Sequence, residues 1–329
     1  MAPLRILTWH IHGNYLWYLS RIPHELYLPV RSDGGEGYGG RGTTFPFGPN
    51  VHDVPADEVG RLDLDVMLYQ SRRAWEEDRF ALLSPAQRRL PAIYLEHDPP
   101  REHPTDTRHP VDDPDVLLVH VTPFNELMWS SGRTPTRVIE HGVAVPPGVD
   151  YTGQLARGIA VVNNLPRRGR RVGADLFERA RHEVPLDLVG MGSTDAGGLG
   201  EVPPPELPAF VAPYRFFFHP IRYTSLGLAL CEAMMIGMPV VAPSTTEVAS
   251  VVRSGESGIA DTDVGTLIDG MWSLLEDPPL ARSLGEGARR VARERFDIRR
   301  FVGDWDRALA EVAGRRRARV AAAAATLTP

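Results

Sequence analysis

Short apolar runs recur along this chain with helical stretches between them: residues 4–9, 66–70, 93–96, 116–121 and 136–140, then 159–162, 186–189, 216–219 and 239–242. Alternation of β-formers with helices predicts parallel sheets covered by helices, an α/β protein. Between the two groups the sequence turns to breakers, Pro146-Pro147-Gly148 and on to Gly153, which reads as a linker. At 329 residues the chain exceeds a usual single domain, so two α/β domains are expected, 1–150 and 151–300. Helical periodicity over 279–312, carried by Leu284, Ala288, Val291, Phe296, Phe301, Trp305 and Leu309, adds a closing helix and tail over 301–329.

The most patterned stretch is 216–243. Phe216-Phe217-Phe218 fits a buried strand that Pro220 ends, and Gly237 with Pro239 marks a helix stop before the next strand. A helix of about three turns is expected to begin near Ser225. Leu226, Leu230 and Ala233 then share an apolar stripe, while Ser225, Leu228 and Glu232 line a neighbouring face. A carboxylate thus sits on a face that starts at an electropositive, donor-rich helix terminus, a place suited to a phosphate or diphosphate.

Composition narrows the chemistry. Hydrophobic residues make up 43% and charged ones 24%, ordinary for a globular chain, and no apolar run is long enough to span a bilayer. Residues 1–9 enter a strand-like segment without the features of a secretory signal, so a cytoplasmic protein is expected. The net charge of −6 argues against a nucleic-acid binder. A single cysteine, Cys231, allows no intrachain disulfide and no cysteine-based metal site; a buried small hydrophobe is the expected role. All 36 basic side chains are arginine, which removes a Walker A loop and a Schiff-base lysine. The arginines Arg289, Arg290, Arg293, Arg295, Arg299 and Arg300, interspersed with Glu286, Glu294 and Asp297, are expected to form a salt-bridged helix face, with weak association to an anionic membrane surface as the other reading.

The stretch 216–243 resembles the donor-site motif of GT-B glycosyltransferases of the retaining family-four type. Gly227-Leu228, Glu232-Ala233-Met234, Gly237 and Pro239-Val240-Val241-Ala242 fall on it in register, and the resemblance extends over most of 137–305. It implies two Rossmann-like domains facing across a cleft, with a C-terminal helix crossing back to the first. It also implies transfer of a sugar from a nucleoside-diphosphate sugar to a hydroxyl acceptor, with retention, without metal, and with no cofactor beyond that donor. On the resemblance, Glu232 meets the nucleotide ribose, and Arg168 replaces the lysine that grips the diphosphate. Asn163 or Asn164 lies near the family's arginine there. Arg222 and the amides of Ser225 and Leu226 complete the anion site. Gly190-Met191-Gly192, Thr245-Thr246-Glu247, Gly255 and Gly258 resemble further family positions. Thr224 stands where the family has a carboxylate at the donor sugar. That departure keeps two other readings in view, a nucleotide-sugar-binding scaffold without turnover and a nucleotide-sugar epimerase.

The first half is expected to supply the acceptor side. Gly13, after the first strand, lacks a side chain that would keep backbone from a phosphate. His10 and His12 share a side at strand spacing, but no nearby carboxylate completes a ligand set, and no metal site is expected. His97 ends a strand where family members place a histidine beside the donor sugar, with Asp98 or Glu96 expected to orient its ring. Residues 101–110 suggest an acceptor loop, and the glycine-rich 34–42 a mobile one.

Overall fold

The computed structural model describes residues 2–325, with side chains to 314. The chain divides into two compact units, Met1–Glu140 with Arg299–Pro329, and His141–Ile298. The division falls before the expected 150 because the breaker-rich segment is sewn onto the second unit. His141 Nε2 donates to Leu226 O at 2.9 Å, Val143 N to Phe296 O at 3.0 Å, and Tyr151 N to Ile236 O at 3.0 Å.

The first unit holds a parallel sheet of β1 (Arg5–Thr8), β2 (Glu25–Val30), β3 (Val51–Pro55), β4 (Val66–Tyr69), β5 (Ala92–Glu96), β6 (Val116–His120) and β7 (Thr136–Val138), in the order β3-β2-β1-β4-β5-β6-β7. Strands β2 and β3 were hidden in the sequence by Pro29 and by His52-Asp53; β3 is an edge strand, where polar residues are tolerated. Leu7, Trp9, Met67, Tyr69, Tyr94 and Leu118 share one buried cluster, with Trp9 stacked on Tyr69 at 5.5 Å. The glycine-rich stretch is pinned rather than loose. Gly37 bridges His10, Gly39 bridges Val30, and Tyr38 between them is 1% exposed beneath the Arg31 guanidinium. The last helix, Ile298–Ala325, joins this unit from Arg299 onward. Its Trp305 is fully buried and donates from Nε1 to the Tyr15 hydroxyl at 3.1 Å, with Phe301 edge-on to the same ring. Residues 326–329 of the expected tail lie outside the described residues.

The second unit holds β8 (Leu155–Val161), β9 (Leu186–Val189), β10 (Tyr214–Phe218), β11 (Val240–Pro243) and β12 (Gly258–Asp261), all parallel, in the order β12-β11-β10-β8-β9. Short, glycine-led β12 escaped the sequence pattern. Phe216, Phe217 and Phe218 are buried as expected, each worth about 2 kcal/mol of transfer free energy. Phe216 pairs with Gly158, and a Cβ at 158 would lie 2.3 Å from its ring, so this glycine fixes the register.

The helix Leu228–Met235 ends as read: Gly237 has φ +88°, its N–H bonds Met234 O, and Met238 N–H bonds Ala233 O, a Schellman stop. Its start is three residues later than expected. In a helix begun at Ser225 the Leu226 carbonyl would accept from Leu230, but His141 takes it, and Leu230 N bonds Gly227 O instead. Cys231 is fully buried. The periodic stretch 279–312 divides into two helices, Pro278–Arg295 and Ile298–Ala325, broken where Val143 claims the Phe296 carbonyl. Part of the arginine face turns inward. Arg295 pairs with buried Glu247 at 2.9 Å, Arg289 pairs with Asp150 and reaches Ile236 O, and Arg300 donates to Glu140 O.

Two buried histidines are kept neutral by desolvation: His120 in the first unit, with its pKa pushed down to about 3, and His219 in the second, pushed to about 4. The unfolded chain takes up these protons near the ordinary 6.5 and the folded chain does not, so stability falls as pH drops from 6.5 toward 4. We expect His219→Leu to reduce the drop in the second unit's urea midpoint between about pH 7 and about pH 5; an undiminished drop would assign the acid sensitivity elsewhere. At Gly173, with φ +80°, a Cβ would lie 1.9 Å from Pro220 O. Gly173→Ala is therefore expected to cost about 2 kcal/mol or more in urea unfolding, and an unchanged midpoint would contradict that contact.

Candidate functional site

In a parallel sheet every loop that follows a strand leaves from the same edge, and side chains gather where the winding reverses. In the second unit that reversal lies between β8 and β10. The loop after β8 begins with Asn163 and Asn164; Asn164, at φ +52°, starts the short turn Leu165–Arg168. Asn163 Oδ1 accepts from Met191 N at 3.0 Å, and Asn164 N donates to Met191 O at 2.6 Å, so this loop is fastened to the one after β9. Gly190 permits the contact, since a Cβ there would lie 2.7 Å from Val162 O.

The loop after β10 is fastened to the same segment. Arg222 N and Tyr223 N both donate to Arg171 O, at 3.1 and 3.2 Å. Residues 163–173 and 220–227 thus form one surface, which brings Asn164, Arg168, Arg222 and Thr224 to a common edge. This surface carries Arg167, Arg168, Arg170, Arg171 and Arg222; beside it, in the first turn of the helix Ala174–Glu183, lies Asp175, whose pKa Arg222 holds below the usual range. Arg222 grips Asp175 with both terminal nitrogens, at 2.5 and 2.8 Å, and donates to Arg170 O. Its expected aim at a diphosphate is therefore not seen; its geometry holds the loop. Arg168, half-buried, donates to Asn163 O at 3.3 Å. Thr224 is half-buried in the loop, and Ser225 and Leu226 are buried before the helix rather than in its first turn. Glu232 lies on the helix at 2% exposure.

In the first unit, Gly13 opens the helix Gly13–Leu19, but a Cβ on it would lie 2.4 Å from the Phe45 ring and 2.8 Å from His10 Nε2. Packing accounts for this glycine, and its expected approach to a phosphate is blocked by those two side chains. His10 and His12 part company: His10 bonds Gly40 O, while the His12 ring lies 4.0 Å from that of His97. His12 keeps an open face to solvent, yet the protein packed around it lowers its pKa, with Asp98 and Glu96 pulling the other way.

His97 is oriented by neither carboxylate expected for it. Glu96 accepts from the Asp98 amide at 2.9 Å and meets His109 Nε2 at 3.2 Å, and Asp98 pairs with Arg101 at 2.5 Å. Nε2 of His97 instead lies 3.0 Å from Gln70 Oε1, and Tyr15 packs edge-on at 4.8 Å. Gln70 was passed over in the sequence; a polar residue ending the apolar run 66–70 was its one signal. His12, Gln70, Tyr94, His97 and Trp129, with much of the 101–110 loop, line a cleft of about 700 Å³.

Among the described residues no helix is long and apolar enough to cross a membrane. Residues 196–291 match the family model described as Glycosyl transferases group 1. Over 234 residues the chain is 30% identical to a GDP-mannose-dependent alpha-(1-6)-phosphatidylinositol monomannoside mannosyltransferase of Mycolicibacterium smegmatis, covering 57% of this chain and 60% of that protein. It is 28% identical over 204 residues to the lipopolysaccharide core biosynthesis mannosyltransferase LpcC of Rhizobium leguminosarum, covering 51% and 57%. The matches thus span less than two thirds of either relative. Sucrose-phosphate synthase from Thermosynechococcus elongatus superimposes with a TM-score of 0.70 at 15% identity, over 94% of this chain and 99% of that one. HepE of Anabaena, solved with UDP and glucose, gives 0.66 at 16%, over 93% and 99%. The chain therefore has the GT-B fold of two Rossmann-like units, and its residues 196–291 match the glycosyl transferases group 1 family model.

Proposed function

We propose that this protein is a glycosyltransferase that takes a sugar from a nucleoside-diphosphate sugar and passes it to a hydroxyl acceptor, with retention at the anomeric carbon and without a metal. The observation that carries the reading is the surface at the β8/β10 reversal, where an arginine-rich loop is hydrogen-bonded to the loop that enters the Glu232 helix. Excess guanidinium charge at such an edge suits a diphosphate, whose negative charge grows as the sugar departs. In this reading Arg168 and backbone amides of the two loops stabilise the leaving diphosphate, and Asn164 shapes the loop that carries Arg168. Glu232 accepts from the ribose hydroxyls. The carboxylate is closed to solvent, so that contact requires the residues over it to move. Thr224 offers a hydroxyl to the donor sugar where the motif it resembles has a carboxylate. The first unit's cleft, with His97 in its wall, offers polar groups suited to sugar hydroxyls.

The similar proteins supply probes. Purified protein incubated with GDP-mannose and with UDP-glucose is expected to release the nucleoside diphosphate slowly from one of them, faster once an acceptor is present. An isomerised donor would favour an epimerase, and binding without product a scaffold. Glu232→Gln is expected to weaken nucleoside-diphosphate binding about ten-fold, the scale of one lost charged hydrogen bond, with the thermal midpoint little changed; unaltered affinity removes Glu232 from the site. Arg168→Ala is expected to weaken the nucleoside diphosphate more than the bare nucleoside in calorimetry, and equal losses would count against a phosphate contact.

A further inference from the structure

The first unit's sheet reverses its winding between β1 and β4, and Gln70 follows β4 at that point. Its Nε2 donates to Thr8 Oγ1 at 2.8 Å and to Trp9 O at 3.0 Å, and its Oε1 lies 3.0 Å from His97 Nε2. Thr8, Gln70 and His97 are 0%, 4% and 9% exposed, so water competes little for these groups. The amide can take one orientation. A backbone carbonyl has no proton to give, so the nitrogen of Gln70 must face Trp9 O, and its oxygen must face His97. An amide oxygen only accepts, so Nε2 of His97 carries a proton whatever the charge on the ring. In the neutral ring the lone pair is therefore on Nδ1. The opposite tautomer would set two lone pairs against each other in a buried place, a cost the site avoids.

We propose that Gln70 is a positioning residue: it locks His97 as the Nε2–H tautomer and so fixes which ring nitrogen carries the proton in the neutral ring. The rate measurements that follow rest on the reading of His97 as a site residue; the tautomer does not. Glutamate would not serve, because a carboxylate has no donor for Trp9 O. Asparagine would not reach, being one methylene shorter.

Long-range ¹H–¹⁵N correlation spectra of the histidine-labelled full chain near neutral pH test the tautomer directly, with the His97 signals assigned by their loss in His97→Ala. We expect a protonated Nε2 and a bare Nδ1; the reverse pattern overturns the proposal, whatever the protein's activity. Gln70→Met, which keeps length and bulk but has no amide, is expected to give mixed tautomers. It should also slow nucleoside-diphosphate release from GDP-mannose or UDP-glucose by about ten-fold, the low end of the loss seen when a residue orienting a metal-bound histidine is removed. In a His97→Ala background the same change is expected to cost nothing more. A Gln70→Met protein that keeps the wild-type tautomer, or the wild-type rate where His97→Ala loses it, refutes the positioning role. A His97→Ala protein with undiminished rate refutes instead the placement of His97 at the substrate, leaving the tautomer result to stand by itself. If Gln70→Met does not fold, the wild-type spectrum still decides.

Discussion

Parallel pairing of every strand, combined with one reversal of winding in each sheet, is the constraint on which the rest of this structure depends. Parallel strands need crossovers, so each strand is followed by a segment that leaves the sheet at the same edge. At the reversal, neighbouring crossovers go to opposite faces and leave room between strand ends. In the first unit Thr8, Gln70 and His97 meet there; in the second, the loops after β8 and β10 do. Neither gathering requires residues that are close in sequence, which is why short motifs record so little of it.

The two gatherings are built differently. In the second unit they are held chiefly by backbone, through two amides on one carbonyl and a glycine pressed against a proline carbonyl, with one side-chain pair, Arg222 on Asp175, beside them. In the first they are held by side chains, through an amide that bridges strand ends and an aromatic packing of His97 against Tyr15 and His12. A backbone frame tolerates changes of charge at its tips, whereas a side-chain network depends on the identity of each member.

The sequence was most legible where geometry is local. The Phe216–Phe218 strand and the Gly237 stop depend on neighbours within a few residues, and both stand as read. It misled where a distant group intervened. His141, 85 residues away, takes the Leu226 carbonyl and delays the helix, and Gln70, 27 residues away, does for His97 what adjacent carboxylates were expected to do. Arg222 had the charge expected of a phosphate clamp, yet Asp175, 47 residues earlier, occupies it. Gly13 looked like a place for a ligand to approach, while Phe45 and His10 fill the space over it. Pattern reports which residues can form an element; competition among polar groups decides where it starts and what each side chain faces.

The bond from Trp305 to Tyr15 joins residues 290 apart in the chain, and it lies beneath the wall that carries His97. The second unit, by contrast, is continuous from His141 to Ile298. During synthesis from the N-terminus, the middle of the polypeptide therefore has all its pieces before the beginning does. The unit translated first is completed last, and until the final helix emerges from the ribosome, Tyr15 and its neighbours present an unfinished apolar face to the cell.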